Sequence, residues 1–295
     1  MIAQAPPSEA PAPAVETRAT TPAMRRMLYV AGVFVLIAGF QLFVLSGQTE
    51  DFFAWTIDPP LTAAFLGAGY WSSAILELGS ARRREWSRAR LAMPAVLFFT
   101  TLTLVLSLVH IDKFHTDSVF GIAWLVVYAC FPVAMATILF GQLRVPGGDA
   151  PVRAPLAGWV RVVLVAQAVP LFVLGAWLYA APVDAASLWP WELTPLTGRA
   201  VGAWLMGTGF IAAHVAIENA RERVDVAALS YAAFGALQLV AVARYPDTPD
   251  WSTLGAVVYL GGLASITIVG LLCWLTRDAQ PDQSSSSSAS RSRPR

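Results

Sequence analysis

Eight apolar runs, each long enough to cross a bilayer as helix, limit what this chain can fold into. They lie at 27–46, 60–80, 91–110, 119–141, 158–180, 196–217, 225–244 and 253–275. About 20 residues of α-helix, rising ~1.5 Å each, cover the roughly 30 Å hydrocarbon core. In lipid a segment must satisfy its own backbone polar groups, so such runs are helices and not open strands. Only 13% of the residues are charged, against about 25% in a soluble domain. The run 225–244 holds Gln238 and ends at Arg244. Dropping it would move the C-terminal end to the other side, and the loop charges argue against that.

Basic residues flanking membrane spans are retained on the cytoplasmic side. With eight spans, the segments 1–26, 81–90, 142–157, 218–224 and 276–295 fall on one side and hold sixteen Arg. The opposite loops, 47–59, 111–118, 181–195 and 245–252, hold Lys113 as their only basic residue and nine acids. Every loop therefore agrees with both termini in the cytoplasm. Phe52, Phe53, Trp55, Trp71, Trp177, Tyr179, Trp189, Trp191, Tyr245 and Trp251 fall near the outer span ends. They read as an interfacial aromatic belt, with a wall for an external lipid or amphiphile as the alternative.

The expected organisation follows. Residues 1–26 form a disordered cytoplasmic tail and 276–295 a disordered Ser/Arg-rich one, since neither holds enough apolar surface to offset its chain entropy. Between them lie a first four-helix repeat at 27–141, a cytoplasmic linker at 142–157 and a second repeat at 158–275. No cleavable leader is expected, because Ser46-Gly-Gln-Thr-Glu50 is not a small-x-small site. Cys130 and Cys273 sit in apolar runs and read as small core residues.

The repeat rests on two ordered blocks. Pro60-Leu-Thr-Ala-Ala-Phe-Leu-Gly-Ala68 matches Pro195-Leu-Thr-Gly-Arg-Ala-Val-Gly-Ala203 at five of nine positions. Further on, Leu106, Leu108, Val109, Val126, Val127 and Tyr128 recur as Leu237, Leu239, Val240, Val257, Val258 and Tyr259. Four spans per half is an even number, so the halves would be parallel, related by an axis along the membrane normal. In the second span of each half, Ala63 and Gly67, then Gly198 and Gly202, stand four apart. Small residues at this spacing let helix backbones approach closely, and the two second spans are candidates to meet each other there.

Ionisable residues within spans are few, and each costs about 2.5–3.5 kcal/mol on insertion scales. Arg199 lies one turn into the sixth span and is expected to snorkel outward toward Glu192, with a headgroup or anion contact as the alternative. His214 and Glu218 share a face at i,i+4, with Arg221 nearby, which reads as a helix-end cap or as a proton-relay pair. Glu77 lies at similar depth and is expected to snorkel into an ion pair with Arg82 or Arg83, with a relay partner as the alternative. The outer loop His110-Ile-Asp112-Lys-Phe-His115-Thr-Asp117 groups two imidazoles and two carboxylates, candidate ligands for a divalent metal or simply a polar turn. No cofactor is indicated: there is no Gly-rich phosphate loop, nucleophile elbow or set of paired histidines for haem.

The stretch Phe53-Ala-Trp-Thr-Ile57, followed by Pro59-Pro-Leu-Thr-Ala-Ala-Phe-Leu-Gly-Ala68 and Tyr70-Trp71, resembles a group of bacterial multi-pass membrane proteins of unassigned activity. His110-Ile-Asp-Lys-Phe-His115 and the stretch from Trp124 to Tyr128 fit the same pattern. The resemblance implies a polytopic, all-α fold in a bacterial cytoplasmic membrane and carries over no site residue. Three functions stay open: a transporter of a small apolar or amphiphilic molecule, a non-catalytic sensor or assembly partner, and a membrane enzyme built on the outer His/Asp cluster. The bilayer is the expected partner. Arg82, Arg83 and Arg84 are candidates to bind a protein or anionic lipid, and a homo-oligomer stays open. A formal charge of +1 points to no nucleic acid.

Overall fold

The computed structural model describes residues 16–277. Eight long helices carry the fold: α1 (Pro22–Val44), α2 (Pro60–Ala81), α3 (Ala92–Val109), α4 (Val119–Leu143), α5 (Gly158–Ala180), α6 (Pro195–Glu218), α7 (Arg221–Arg244) and α8 (Leu254–Leu275). Their starts follow local chemistry. Thr21, Ser118, Thr194 and Thr253 each accept from a backbone N–H of the first turn, which satisfies a donor that has no partner within the helix. Pro22, Pro60 and Pro195 occupy first-turn positions where a missing N–H costs nothing. At its far end α6 stops at Asn219, which adopts a left-handed conformation (φ 47°).

Seven of these helices, all but α2, are long and apolar enough to cross a membrane, which marks the chain as a multi-pass membrane protein. Their outward faces agree: Val119, Ile122, Val126 and Val133 on α4 and Val162, Val165, Val169 and Val173 on α5 are all exposed. An apolar face this continuous belongs against lipid. Cys130 is exposed on that α4 surface, while Cys273 is buried. Helix α2 is 22 residues long but carries Thr62, Ser72, Ser73 and Glu77. Sixteen of its residues are buried, so other helices, not lipid, surround it.

The helices pair as α1 with α2, α3 with α4, α5 with α6 and α7 with α8. Two further contacts join the halves, α2 against α7 and α3 against α6, and α2 also touches α6. Thus α2, α3, α6 and α7 form an inner group, with α1, α4, α5 and α8 outside it. The seams between α1 and α4 and between α5 and α8 are thin.

Besides the exposure of Cys130, which the sequence placed in the core, the overall fold departs from the sequence expectations in three places. Residues 16–26 are ordered, not a tail. Gly148 N donates to Glu16 O and Arg18 N to Gly148 O, Thr20 N donates to Arg84 O, and Trp86 N donates to Arg18 O. Gln142, wholly buried, accepts from Thr21 N and donates to Ala19 O at 2.8 and 2.9 Å. Residues 1–15 and 278–295, the rest of the expected tails, lie outside the described residues. The aromatic belt is also only partial. Phe52, Trp177 and Trp251 are exposed, but Phe53, Trp55, Trp189 and Trp191 are buried. Their connecting loops fold inward, and the rings meet edge-on, Phe53 and Trp55 against Trp124 of α4 and Trp189 against Trp191. Helix α7 begins at Arg221, four residues earlier than its apolar run, because Arg223 and Asp225 find partners of opposite charge.

Candidate functional site

Tyr70, Ser73 and Glu77 stand at i, i+3 and i+7 on α2, a spacing that places them on one face. That face turns toward α1, α3 and α4. Tyr70 and Tyr128 of α4 hydrogen-bond hydroxyl to hydroxyl at 2.7 Å. Ser73 Oγ donates to Glu77 Oε1 at 2.9 Å. The other carboxyl oxygen, Oε2, is buried with no partner, and the residue as a whole is 0% exposed.

Glu77 borders two chambers. The larger, about 320 Å³, lies between α1, α2, α3 and α4 and is walled by Phe34, Tyr70, Trp124, Tyr128, Phe131 and Met135 among others. The smaller, about 60 Å³, lies among the inner helices, bounded by Thr100, Trp204, Thr208, Ser230 and Tyr231. It has room for a few water molecules. Val35, Glu77, Val96, Thr100 and Tyr128 line both. The mouth of the larger chamber lies at the thin α1–α4 seam, where Phe34, Ile37 and Val119 are exposed. Phe34 and Phe131 meet edge-on across that seam at 5.4 Å.

The second half has its own cleft of about 430 Å³ among α5, α6, α7 and α8. Gln167 holds it together: its Nε2 donates to Ser265 Oγ at 2.7 Å, and its Oε1 accepts from Tyr231 Oη at 3.0 Å. Trp189 and Tyr259 wall it, and no acid or base lines it.

The structure separates the residues singled out as relay candidates. Glu77 makes no ion pair with Arg82 or Arg83, contrary to expectation. At 100° per residue those arginines point some 140° and 240° away from Glu77 around the axis. Arg83 instead pairs with Asp225 of α7, Arg82 is exposed, and Arg84 uses its carbonyl to hold Thr20. His214 and Glu218 form no capping pair. Glu218 accepts from Arg90 Nε and Nη2 at 2.8 and 2.6 Å and from Arg223 Nη1 at 2.6 Å. Asp149 completes this ionic knot at the arginine-rich end, 2.5 Å from Arg90. His214 Nδ1 is buried without a partner, and its ring stands edge-on to Phe210. The end of α6 is instead closed by Asn219, whose Oδ1 accepts from Leu156 N.

Arg199 does not reach Glu192. It donates to His110 Nε2 at 2.9 Å and to Pro195 O at 3.4 Å, because α3 packs against α6 and brings the His110 turn to it. Partial burial, and then the Arg199 charge, hold the His110 imidazole below its ordinary pKa. His115 turns the other way: Nδ1 donates to Phe53 O at 3.3 Å and Nε2 accepts from Thr56 Oγ1 at 3.2 Å. Asp112 lies by Lys113. The four outer-loop residues, Asp117 included, do not converge, and among the described residues no group of three His, Cys, Asp or Glu has metal-binding geometry.

The small residues lie at close approaches, but within each helix pair. A Cβ on Gly202 would be 2.5 Å from Gly175 O of α5, and one on Gly67 would be 2.4 Å from Phe43 N of α1. Gly198 faces Pro182 and Leu178. Ala63 is wholly buried in α2. The second helices of the two halves therefore use these positions against their own neighbours, not against each other.

The chain matches no family model, no curated protein and no solved structure.

Proposed function

We propose that this is a carrier of the bacterial cytoplasmic membrane, built from eight spans in two parallel four-helix repeats with both ends inside, and that it binds a small apolar or amphiphilic molecule. The observation that carries this reading is the aromatic chamber of the first half, about 320 Å³, entered from the lipid-facing seam between α1 and α4 and closed at its inner end by Glu77. A ligand that partitions into lipid reaches such a mouth sideways, without crossing water.

The pairing pattern supports the repeat. Replacing α1–α4 by α5–α8 turns α1·α2 into α5·α6 and α3·α4 into α7·α8, and exchanges the two cross-contacts α2·α7 and α6·α3. The clefts exchange as well, one at the α1–α4 seam and one at the α5–α8 seam. The arginine distribution supports the orientation. Helix α2 is the eighth span in this reading. Its 22 residues make about 33 Å of helix, and burial by its neighbours removes the need for a lipophilic surface. The outer-loop histidines give little support to a metal enzyme, since His110 Nε2 and both ring nitrogens of His115 already hydrogen-bond to protein.

The test is photolabelling of the full chain in lipid nanodiscs with a diazirine-bearing octyl chain. Labels should concentrate on Phe131, Trp124 and Met135 and be competed by excess octanol. An Ala123→Trp variant, which fills the mouth, should lose them. Labelling spread evenly over the lipid-facing valines of α4 and α5, unchanged by the variant, would refute the reading.

A further inference from the structure

We propose that the first-half chamber takes an amphiphilic organic cation, an amine or quaternary ammonium with an apolar body, and that the cation displaces a proton from the Glu77 carboxyl. This names the ligand class for the carrier reading above and rests on it.

The argument begins with charge. A carboxylate out of water is unfavourable by several kcal/mol unless a cation accompanies it. Among the described residues the buried acid side chains are Asp225, Glu77 and Glu218, and Glu218 is held by Arg90 and Arg223. Asp225 has Arg83; Glu77 has the Ser73 hydroxyl on one oxygen and nothing on the other. A proton or a bound cation must fill that role. The titratable groups facing Glu77 are phenols: Tyr70 on its own helix, Tyr128 on α4 and Tyr231 on α7. Helices α1, α3 and α6 bring no acid or base to either chamber. The Arg83–Asp225 pair lies outside both, bordering a separate groove. No fixed positive charge lines the chambers, so nothing there would hold an anion.

The walls then select among cations. A small hydrated metal ion needs several oxygen ligands, and most of the wall here is aromatic. Tyr70, Trp124 and Tyr128 line the same chamber as the carboxyl, with Phe34 and Phe131 at the α1–α4 seam. Aromatic faces attract a weakly hydrated ammonium that hydrocarbon would repel. The same rings give an alkyl or aryl body its apolar contact. In the exchange the carboxyl O–H bond breaks, its electron pair stays on oxygen, and the proton leaves to bulk water. The cation takes the proton's place, so the net charge of the chamber does not change.

The experiment uses the full chain in zwitterionic nanodiscs, with octyltrimethylammonium, octyl sulfate and 1-octanol as probes that share one tail. Calorimetry in two buffers of different ionisation enthalpy counts protons. The expected result is saturable binding of the ammonium with about one proton released, weakened at least tenfold by Glu77→Gln, while octanol binds both proteins alike. Ammonium binding without proton release, or equal binding to the Gln variant, overturns the proposal. If Glu77→Gln fails to fold, the wild-type proton count decides alone. Octanol binding that Ala123→Trp abolishes, without ammonium binding, sinks the cation and leaves the carrier. Failure of every probe to bind in a way that Ala123→Trp abolishes sinks both.

Discussion

Gly202 offers the sharpest test of the packing. Its α-carbon faces the α5 backbone, and an added methyl would sit 2.5 Å from Gly175 O and 2.9 Å from Tyr179 N. Ordinary contact needs about 3.4 Å or more, and neither obstacle is a side chain that can turn aside, so the axes of α5 and α6 would have to part by about 1 Å. Overpacking of this kind costs about 1–3 kcal/mol, and an obstacle made of backbone belongs at the upper end. Against that, Ala favours helix over Gly by up to ~1 kcal/mol, which leaves Gly202→Ala destabilised by about 2 kcal/mol. Gly207 lies on the same helix with nothing within 4 Å of its would-be Cβ. Gly207→Ala therefore keeps only the helix term and should be neutral or slightly stabilised. The helix term is common to both variants and cancels, so they should differ by the overpacking cost alone, about 3 kcal/mol, in detergent-titrated unfolding followed by circular dichroism. Equal stability of the two would show that α5 and α6 do not meet at Gly202.

Two further outcomes follow from the polar contacts. Glu218→Ala strands Arg90 beside Arg223, which is only 7% exposed. It should cost on the order of 3 kcal/mol in the same unfolding assay, while Asp149→Ala, on the half-exposed rim of the knot, should cost less than about 1 kcal/mol; equal losses would contradict the assignment of Glu218 as its centre. By NMR, His110 should titrate below the ordinary value of 6.5, and Arg199→Ala should move it upward. A lowered folded-state value means that the stability linked to His110 is complete above the unfolded value, falls as pH drops through the lowered one, and is gone in acid. An Arg199→Ala variant with an unmoved His110 would remove the contact.

The long apolar helices were legible because lipid leaves so little choice: about twenty apolar residues and a self-satisfied backbone. Gly67, Gly198 and Gly202 were legible as points of close approach, but their partners were not, since a smooth strip on one helix does not say which neighbour lies on it. The Arg199–His110 contact crosses 89 positions of chain and depends on α3 meeting α6, which no local pattern announces. Glu77 is a different kind of miss. Its nearness in sequence to Arg82 and Arg83 suggested a pair, yet helical geometry alone sends those side chains elsewhere. The same geometry applied to Tyr70, Ser73 and Glu77 would have exposed the polar face. The inward fold of Trp55, Trp189 and Trp191 was hidden because interfacial and buried tryptophans look alike in composition.

The three long helices with the least apolar windows, α2, α6 and α7, are also the most deeply enclosed. In water this order would be inverted. In a membrane it is expected, because the outer helices must match lipid while the inner ones must match only each other. Small residues and hydroxyls then let α2, α3, α6 and α7 come together, and a hydroxyl can return its hydrogen bond to its own helix, as Ser72, Thr100 and Thr208 do. A carboxyl has no such local remedy. One of Glu77's oxygens leans on Ser73 and the other remains open. Helix packing alone gives no reason for an acid at this place, since a Gln would accept from Ser73 as well. The demand for a proton or a cation is what a carboxyl adds there, and the aromatic chamber beside it is where the proposed cation fits.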